Sequence, residues 1–263
     1  MRLSKALRPS LILAVLLVKT PTHAQDKPAR LTFDVASIRP SSPEARERVF
    51  EPLPGGTGYT VQNMPTKLMI ALMYKVPARQ ITGGPEWLTT QNYNIEARAD
   101  GPHGIADLHT MFQNLLGDRF NLKFHKETKV GPVYVLSVDS AGLKMKTGGA
   151  GQDLDVPIDF GKDGTAVGTR VPMPYLTWWF GQLLQNDARP VIDHTGLTSS
   201  YDFILSFAPQ LPPDATKDGL PPELRDRPSI FDALRQQLGL KLEARRGPVD
   251  YYVIDHIDKP SEN

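Results

Sequence analysis

Two stretches decide the fold when set side by side: Asn92-Tyr-Asn-Ile-Glu-Ala-Arg98 and Ser200-Tyr-Asp-Phe-Ile-Leu-Ser206. The first alternates apolar and polar residues strictly and the second nearly so, which is the period of a strand with one buried face. Two further echoes follow. Leu116-Gly-Asp-Arg-Phe-Asn-Leu-Lys-Phe124 matches Leu234-Arg-Gln-Gln-Leu-Gly-Leu-Lys-Leu242, and Gly131-Pro-Val133 matches Gly247-Pro-Val249. The chain therefore reads as an α+β protein made of two tandem copies of a strand-helix-strand-helix-strand-strand unit. Its helices are expected to pack on antiparallel or mixed sheets.

Outward from these echoes, the first copy is expected over residues 56–139. Tyr59-Thr-Val-Gln62 forms a strand, and Pro65 opens a helix carrying Leu68, Met69, Leu72, Met73 and Val76 at helical spacing. Leu108, Met111, Phe112, Leu115 and Leu116 follow the i, i+3, i+4, i+7, i+8 pattern of a second helix, which Asn121 ends in the left-handed C′ conformation. Leu122 to Val138 reads as a hairpin turning at Lys129 to Pro132. Ahead of this copy, residues 25–55 form a lead-in with a strand at Leu31 to Ile38.

Residues 140–164 read as a glycine-rich linker, and the second copy is expected over 165–263. Pro174 is matched to Pro65, Ser229 to Asp232 forms a capping-box-like helix start, and Gly239 takes the place of Asn121. Leu240 to Ile254 is read as a closing hairpin. Copy two differs by a proline-rich insertion at 209–228, expected to be an exposed excursion with no regular element.

Residues 1–24 read as an export signal. Arg2, Lys5 and Arg8 precede the apolar run Leu11 to Val18, and Thr22-His-Ala24 supplies small residues for cleavage. That run is too short to cross a bilayer, so the mature chain is expected in the periplasm or outside the cell with no stable membrane insertion. The 30 basic and 29 acidic residues become 26 and 29 without this segment, a net of −3, which gives no electrostatic case for nucleic acid. The chain has no cysteine, which rules out disulfides, thiolate zinc sites and thiol nucleophiles.

Standard catalytic signatures are missing: no Gly-x-Ser-x-Gly, His-Glu-x-x-His or phosphate-binding glycine loop occurs. Val-Ile-Asp-His occurs twice, at Val191–His194 and Val253–His256. Neighbouring strand residues face opposite ways, so each Asp is expected to cap the turn that follows. No catalytic, cofactor-binding or metal-binding residue is assigned. The rival reading is a hydrolase using His125, His194 or His256. Trp87, Trp178 and Trp179 are read chiefly as packing, with one of the adjacent pair turned outward. Asp153, Asp155 and Asp159 are read as a solvated acidic loop.

Five blocks carry a resemblance: Phe33-Asp-Val-Ala-Ser-Ile-Arg-Pro40, Gly83-Gly-Pro-Glu-Trp-Leu88, Asp118 to Thr128, Val191 to Leu197, and Val253 to Asn263. Together they resemble the soil-associated family of exported proteins that carry the DUF3738 domain, expanded in acidobacteria. The family has no assigned activity and defines no catalytic residues. Some members join the domain to a BlaR1-like membrane peptidase region, which implies extracytoplasmic sensing. The expected role is a non-catalytic binding module for a protein, glycan or other small-molecule partner. The groove between the copies, bordered by the proline-rich excursion, is its expected surface.

Overall fold

A computed structural model describes residues 30–149, 156–161, 163–184, 189–209, 211, 216 and 220–260. The expected signal at 1–24, Asp153 and Asp155, and much of the 209–228 excursion lie outside the described residues.

The first half contains β1 (Val35–Pro40), β2 (Val49–Pro52), β3 (Gly58–Pro65), α1 (Thr66–Tyr74), β4 (Ile81–Gly83), α2 (Trp87–Thr90), β5 (Asn92–Arg98), α3 (Ile105–Arg119) and β6 (Lys123–Val138). An antiparallel sheet runs β1-β5-β3-β2. Its inward residues Ile38, Tyr59, Val61, Tyr93, Ile95 and Ala97 meet Met69, Ile70 and Met73 of α1 and the expected stripe of α3, all buried. Asn121 has the left-handed conformation expected of it (φ 49°). The first strand begins later than its alternation suggests. Leu31 and Phe33 pack on the core, but Val35 is 65% exposed and pairing starts there, against Arg98.

The second half contains β7 (Lys146–Thr147), β8 (Ile158–Phe160), β9 (Ala166–Pro172), α4 (Met173–Leu183), β10 (Val191–Asp193), β11 (Ser200–Leu205), α5 (Pro222–Arg225), α6 (Ile230–Ala233) and β12 (Leu240–His256). A second antiparallel sheet runs β7-β11-β9-β8. Two of its strands, β7 and β8, come from the glycine-rich stretch 140–164. α5 puts one helical turn inside the proline-rich segment, because Pro222 stands at the helix start where a missing N–H costs nothing. Ser229 caps α6 by accepting from the Asp232 N–H (3.2 Å). α6 continues as a π turn, Leu234–Leu238, and Gly239 closes it at φ 67°. Ile230, Leu234 and Leu238 are buried, as are Phe112, Leu116 and Phe120 in the first half.

The largest correction concerns the two expected hairpins. Lys123–Val138 and Leu240–His256 are each one unbroken strand, and they pair with each other along nearly their whole length. Apart from the one-turn helices α2 and α5, β3 to β6 and β9 to β12 each run strand-helix-strand-strand-helix-strand. The reason lies in the Gly-Pro-Val segments. Gly131 faces Gly247 across the ladder, and a Cβ on either glycine would sit 3.1 Å from a methyl of the opposing valine, Val249 or Val133. The missing side chains let the strands pass at this point. Proline is tolerated because β6 and β12 are locally edge strands there: β10 flanks β6 only at Tyr134–Leu136, and β4 flanks β12 only at Tyr252–Ile254.

This third sheet, β10-β6-β12-β4, joins the halves by exchange. Tyr252, Ile254 and Ile257 complete the core of the first half, and Tyr134 and Leu136 complete that of the second.

The shared Tyr-Asn and Tyr-Asp steps of β5 and β11 have a local role. Asn63 in β3 and Arg170 in β9 both adopt positive φ (51° and 47°) at an irregularity in their ladders. Each backbone N–H is accepted by the residue after the shared tyrosine, Asn94 Oδ1 (2.8 Å) or Asp202 Oδ1 (2.7 Å). Two residues later each chain enters a helix, so the partner of Pro65 is Pro172 at the same N-cap place. Pro174 lies inside the first turn of α4, which corrects the proline match.

Two outcomes are expected. Leu136→Ala and Ile254→Ala should each cost about 2–5 kcal/mol in urea unfolding, with the two halves still unfolding in one transition because each core borrows from the other half. Asn94→Ala and Asp202→Ala should each cost about 1–3 kcal/mol by leaving a strained N–H without its acceptor.

Candidate functional site

The C-terminus of α1 and the outer face of α4 meet over the middle of the third sheet. Lys75 ends α1 in the left-handed conformation (φ 53°), its N–H donating back into the last turn, and Pro77 prevents the helix from continuing. α4 contributes Pro174, Thr177, Trp178 and Gly181, which fall at i, i+3, i+4 and i+7 and so share one helix face. The opposite face sends Leu176, Trp179 and Phe180 into the second core. Pro190-Val191-Ile192 and Pro248-Val249-Asp250 close the cleft from the sheet.

The cleft has a volume of about 350 Å³, within the range of small-molecule sites. A smaller cavity of about 150 Å³ shares Lys75 and Trp178 with it and is lined further by Phe50, Tyr59, His109 and Tyr175. Residues of both halves thus line each cavity. The prolines that border the cleft are Pro77, Pro174, Pro190 and Pro248; none of the described residues of the 209–228 excursion lines it.

Burial sets the electrostatics. The Lys75 ammonium lies 5.7 Å above the Tyr175 ring, and burial alone pulls its pKa below the ordinary lysine value. His109 Nε2 and the Tyr59 hydroxyl share a 3.0 Å hydrogen bond. Burial, and then the positive charge of Lys75, holds the imidazole down at about 4, so it is neutral at neutral pH. Tyr175 is pushed up to about 12 by burial, and Tyr59 is raised further by burial and by Tyr175. Two buried polar atoms of these cavities have no hydrogen-bond partner among the described residues: Trp178 Nε1 and His109 Nδ1.

The residues singled out from sequence fall elsewhere, except Trp178. Trp179 is buried in the second core, and Trp87 packs edge-on against Tyr93 with ring centroids 6.3 Å apart. His125 Nδ1 lies 2.7 Å from Asp255 Oδ1, and its Nε2 lies 3.5 Å from Glu127. Both ring nitrogens therefore face carboxylates, which raise its pKa, and neither is turned to a nucleophile. His256 pairs with Asp258 at 3.0 Å. His194 bonds by its N–H to Leu136 at the other end of β6, about 36 Å along the strand from His125 at ~3.3 Å per residue. The three histidines do not converge. Asp193 caps its turn as expected, accepting from the Thr195 N–H (2.8 Å) and hydroxyl (2.7 Å). Asp255 instead binds His125 across the ladder. Among the described residues no group of three or more His, Asp or Glu is placed to hold a metal ion.

Lys75, His109, Tyr59 and Tyr175 were not singled out from sequence. One signal was legible: His109 stands in the apolar stripe of α3, four residues after Ile105 and three before Phe112. Lys75 gave none, because nothing local says which side of a helix end will be covered.

The buried imidazole has a pH signature. Its folded pKa of about 4 lies below the ordinary 6.5, so its contribution to stability is complete above pH 6.5 and is lost as pH falls toward 4. The loss should reach at most about 3 kcal/mol. In urea unfolding at a series of pH values, His109→Asn should flatten the difference curve in that window and leave the region above pH 7 parallel to wild type.

A family described as "Protein of unknown function (DUF3738)" matches residues 67–257. No curated protein matches the chain, and no solved structure matches it. The matched span runs from the first turn of α1 to just past β12, and so takes in both helices and both long strands that frame the cleft. The chain belongs to the DUF3738 family.

Proposed function

We propose that this protein is an exported binding module whose ligand occupies the cleft between Lys75, Trp178 and the middle of the β6–β12 ladder. The observation that carries the reading is the site's construction: α1, α4, β10 and β12 contribute walls to one cavity of about 350 Å³, with an unpartnered indole N–H among them. A merely imperfect contact between two halves would be expected to close, since unsatisfied buried donors and voids both cost free energy. The export reading rests on the basic and apolar run of residues 2–18. Among the described residues no helix is long and apolar enough to cross a membrane.

The hydrolase reading draws little support from the geometry, because His194 lies at the far end of β6 from His125, and His125 and His256 are each tied to a carboxylate. Binding in the cleft needs no such convergence. A ligand bridging both halves would stabilise the exchanged ladder by mass action.

Thermal-shift screening against short peptides, glycans and small aromatic compounds tests this reading. A cleft ligand should raise the melting temperature with concentration and change tryptophan emission, and Trp178→Ala should abolish both responses. Binding that survives Trp178→Ala would move the site elsewhere.

A further inference from the structure

We infer that the cleft recognises an anion: a carboxylate carried on a small apolar body, held by the Lys75 ammonium and the Trp178 indole N–H. The inference rests on the cleft reading above and adds the chemical class of its ligand.

Three observations converge. Lys75 is half-buried, lines both cavities, and has no carboxylate partner among the described residues; its contact there is the Tyr175 ring. A cation taken from water without an opposite charge is costly and calls for a compensating anion. Trp178 lines the same two cavities and is a donor only, and its Nε1 is buried without an acceptor. His109 lines the inner cavity, is 8% exposed, and leaves Nδ1 unpartnered. When its Nε2 accepts the Tyr59 hydroxyl proton, Nδ1–H becomes a third unused donor.

The cleft is lined by a single carboxylate among the described residues. Asp250 is the acidic residue on the rim, and the Thr128 hydroxyl donates to it at 2.7 Å. The remaining walls are mostly apolar and aromatic surface, with Gln80 and Thr177 as polar residues among them, and the Thr177 hydroxyl donates to backbone carbonyls of its own helix. Unused donors and a cation set in an apolar frame suit one negative group with a hydrophobic body. Phosphate would bring more charge than one ammonium offsets and has no apolar part for those walls.

The test uses calorimetry on the purified protein with paired probes. Phenylacetate stands for a free carboxylic acid and N-acetyl-Ala-Phe for a peptide C-terminus, each set against its carboxamide; inorganic phosphate is the bare-anion control. Either carboxylate is expected to bind about tenfold more tightly than its carboxamide, with phosphate weakest. Lys75→Met should reduce that preference to near unity, and Lys75→Arg should retain it. Carboxamides that bind as tightly as the acids would overturn the anion inference and leave the cleft reading standing. If none of the probes binds wild type, the anion inference falls, and the cleft reading is decided separately by the thermal-shift screen with Trp178→Ala. A preference that survives intact in Lys75→Met would show that Lys75 is not the recognising group.

Discussion

The antiparallel ladder between Lys123–Val138 and Leu240–His256 is the constraint on which the rest of the structure depends. Its length alone does not explain its importance. Each strand leaves its own half and ends in the core of the other, so Tyr252 and Ile254 pack with α1 and α3 while Tyr134 and Leu136 pack with α4 and α6. Each half therefore needs the other to finish burying its apolar face. The short strands β4 and β10 add to the ladder from opposite sides, Ile81 beside Tyr252 and Val191 beside Tyr134. A cross-half aromatic group, Tyr74, Phe124 and Tyr252, shows how close this packing is, with centroids 4.9–6.2 Å apart.

The candidate site is a by-product of that exchange. Both long strands run beneath the junction, so α1 and α4 are held at a fixed distance over a floor neither half owns. The side chains that end up there are ones a helix tolerates on its outward face: Pro174, Thr177 and Trp178 on α4, and Lys75 at the end of α1. Trp178 packs only partly against the second core and its indole N–H has no partner among the described residues, while Trp179, one residue on, is buried in that core.

Much of the fold was legible because local rules and tertiary packing agree. The α3 stripe, the Ser229 cap, the left-handed residues Asn121 and Gly239, and the two Tyr-Asn/Asp strands all follow from periodicity or turn chemistry. What misled was Gly-Pro. At Gly131 and Gly247 the pair reads locally as a turn, and the fact that each glycine makes room for a valine on a distant strand has no local signature. The same holds for β7 and β8, whose few residues gain order only from β11 and β9 beside them. The site was less legible than the fold. Histidines attract attention by type, yet His125 and His256 are exposed and hydrogen-bonded to carboxylates, whereas the buried imidazole was one more residue in a helical stripe.

The reciprocal ladder also bears on how the chain reaches its native state. Ile81 must wait for Tyr252, and the first core stays open on one side until nearly all of the second half has been made. Contacts of such sequence separation impose a large loop-closure entropy before any packing repays it, placing the protein among slow folders. An early chain with β4 and α1 formed but β12 absent exposes Met69, Ile81 and Leu88 beside an unpaired strand edge, the surface that chaperones bind and that aggregates form through.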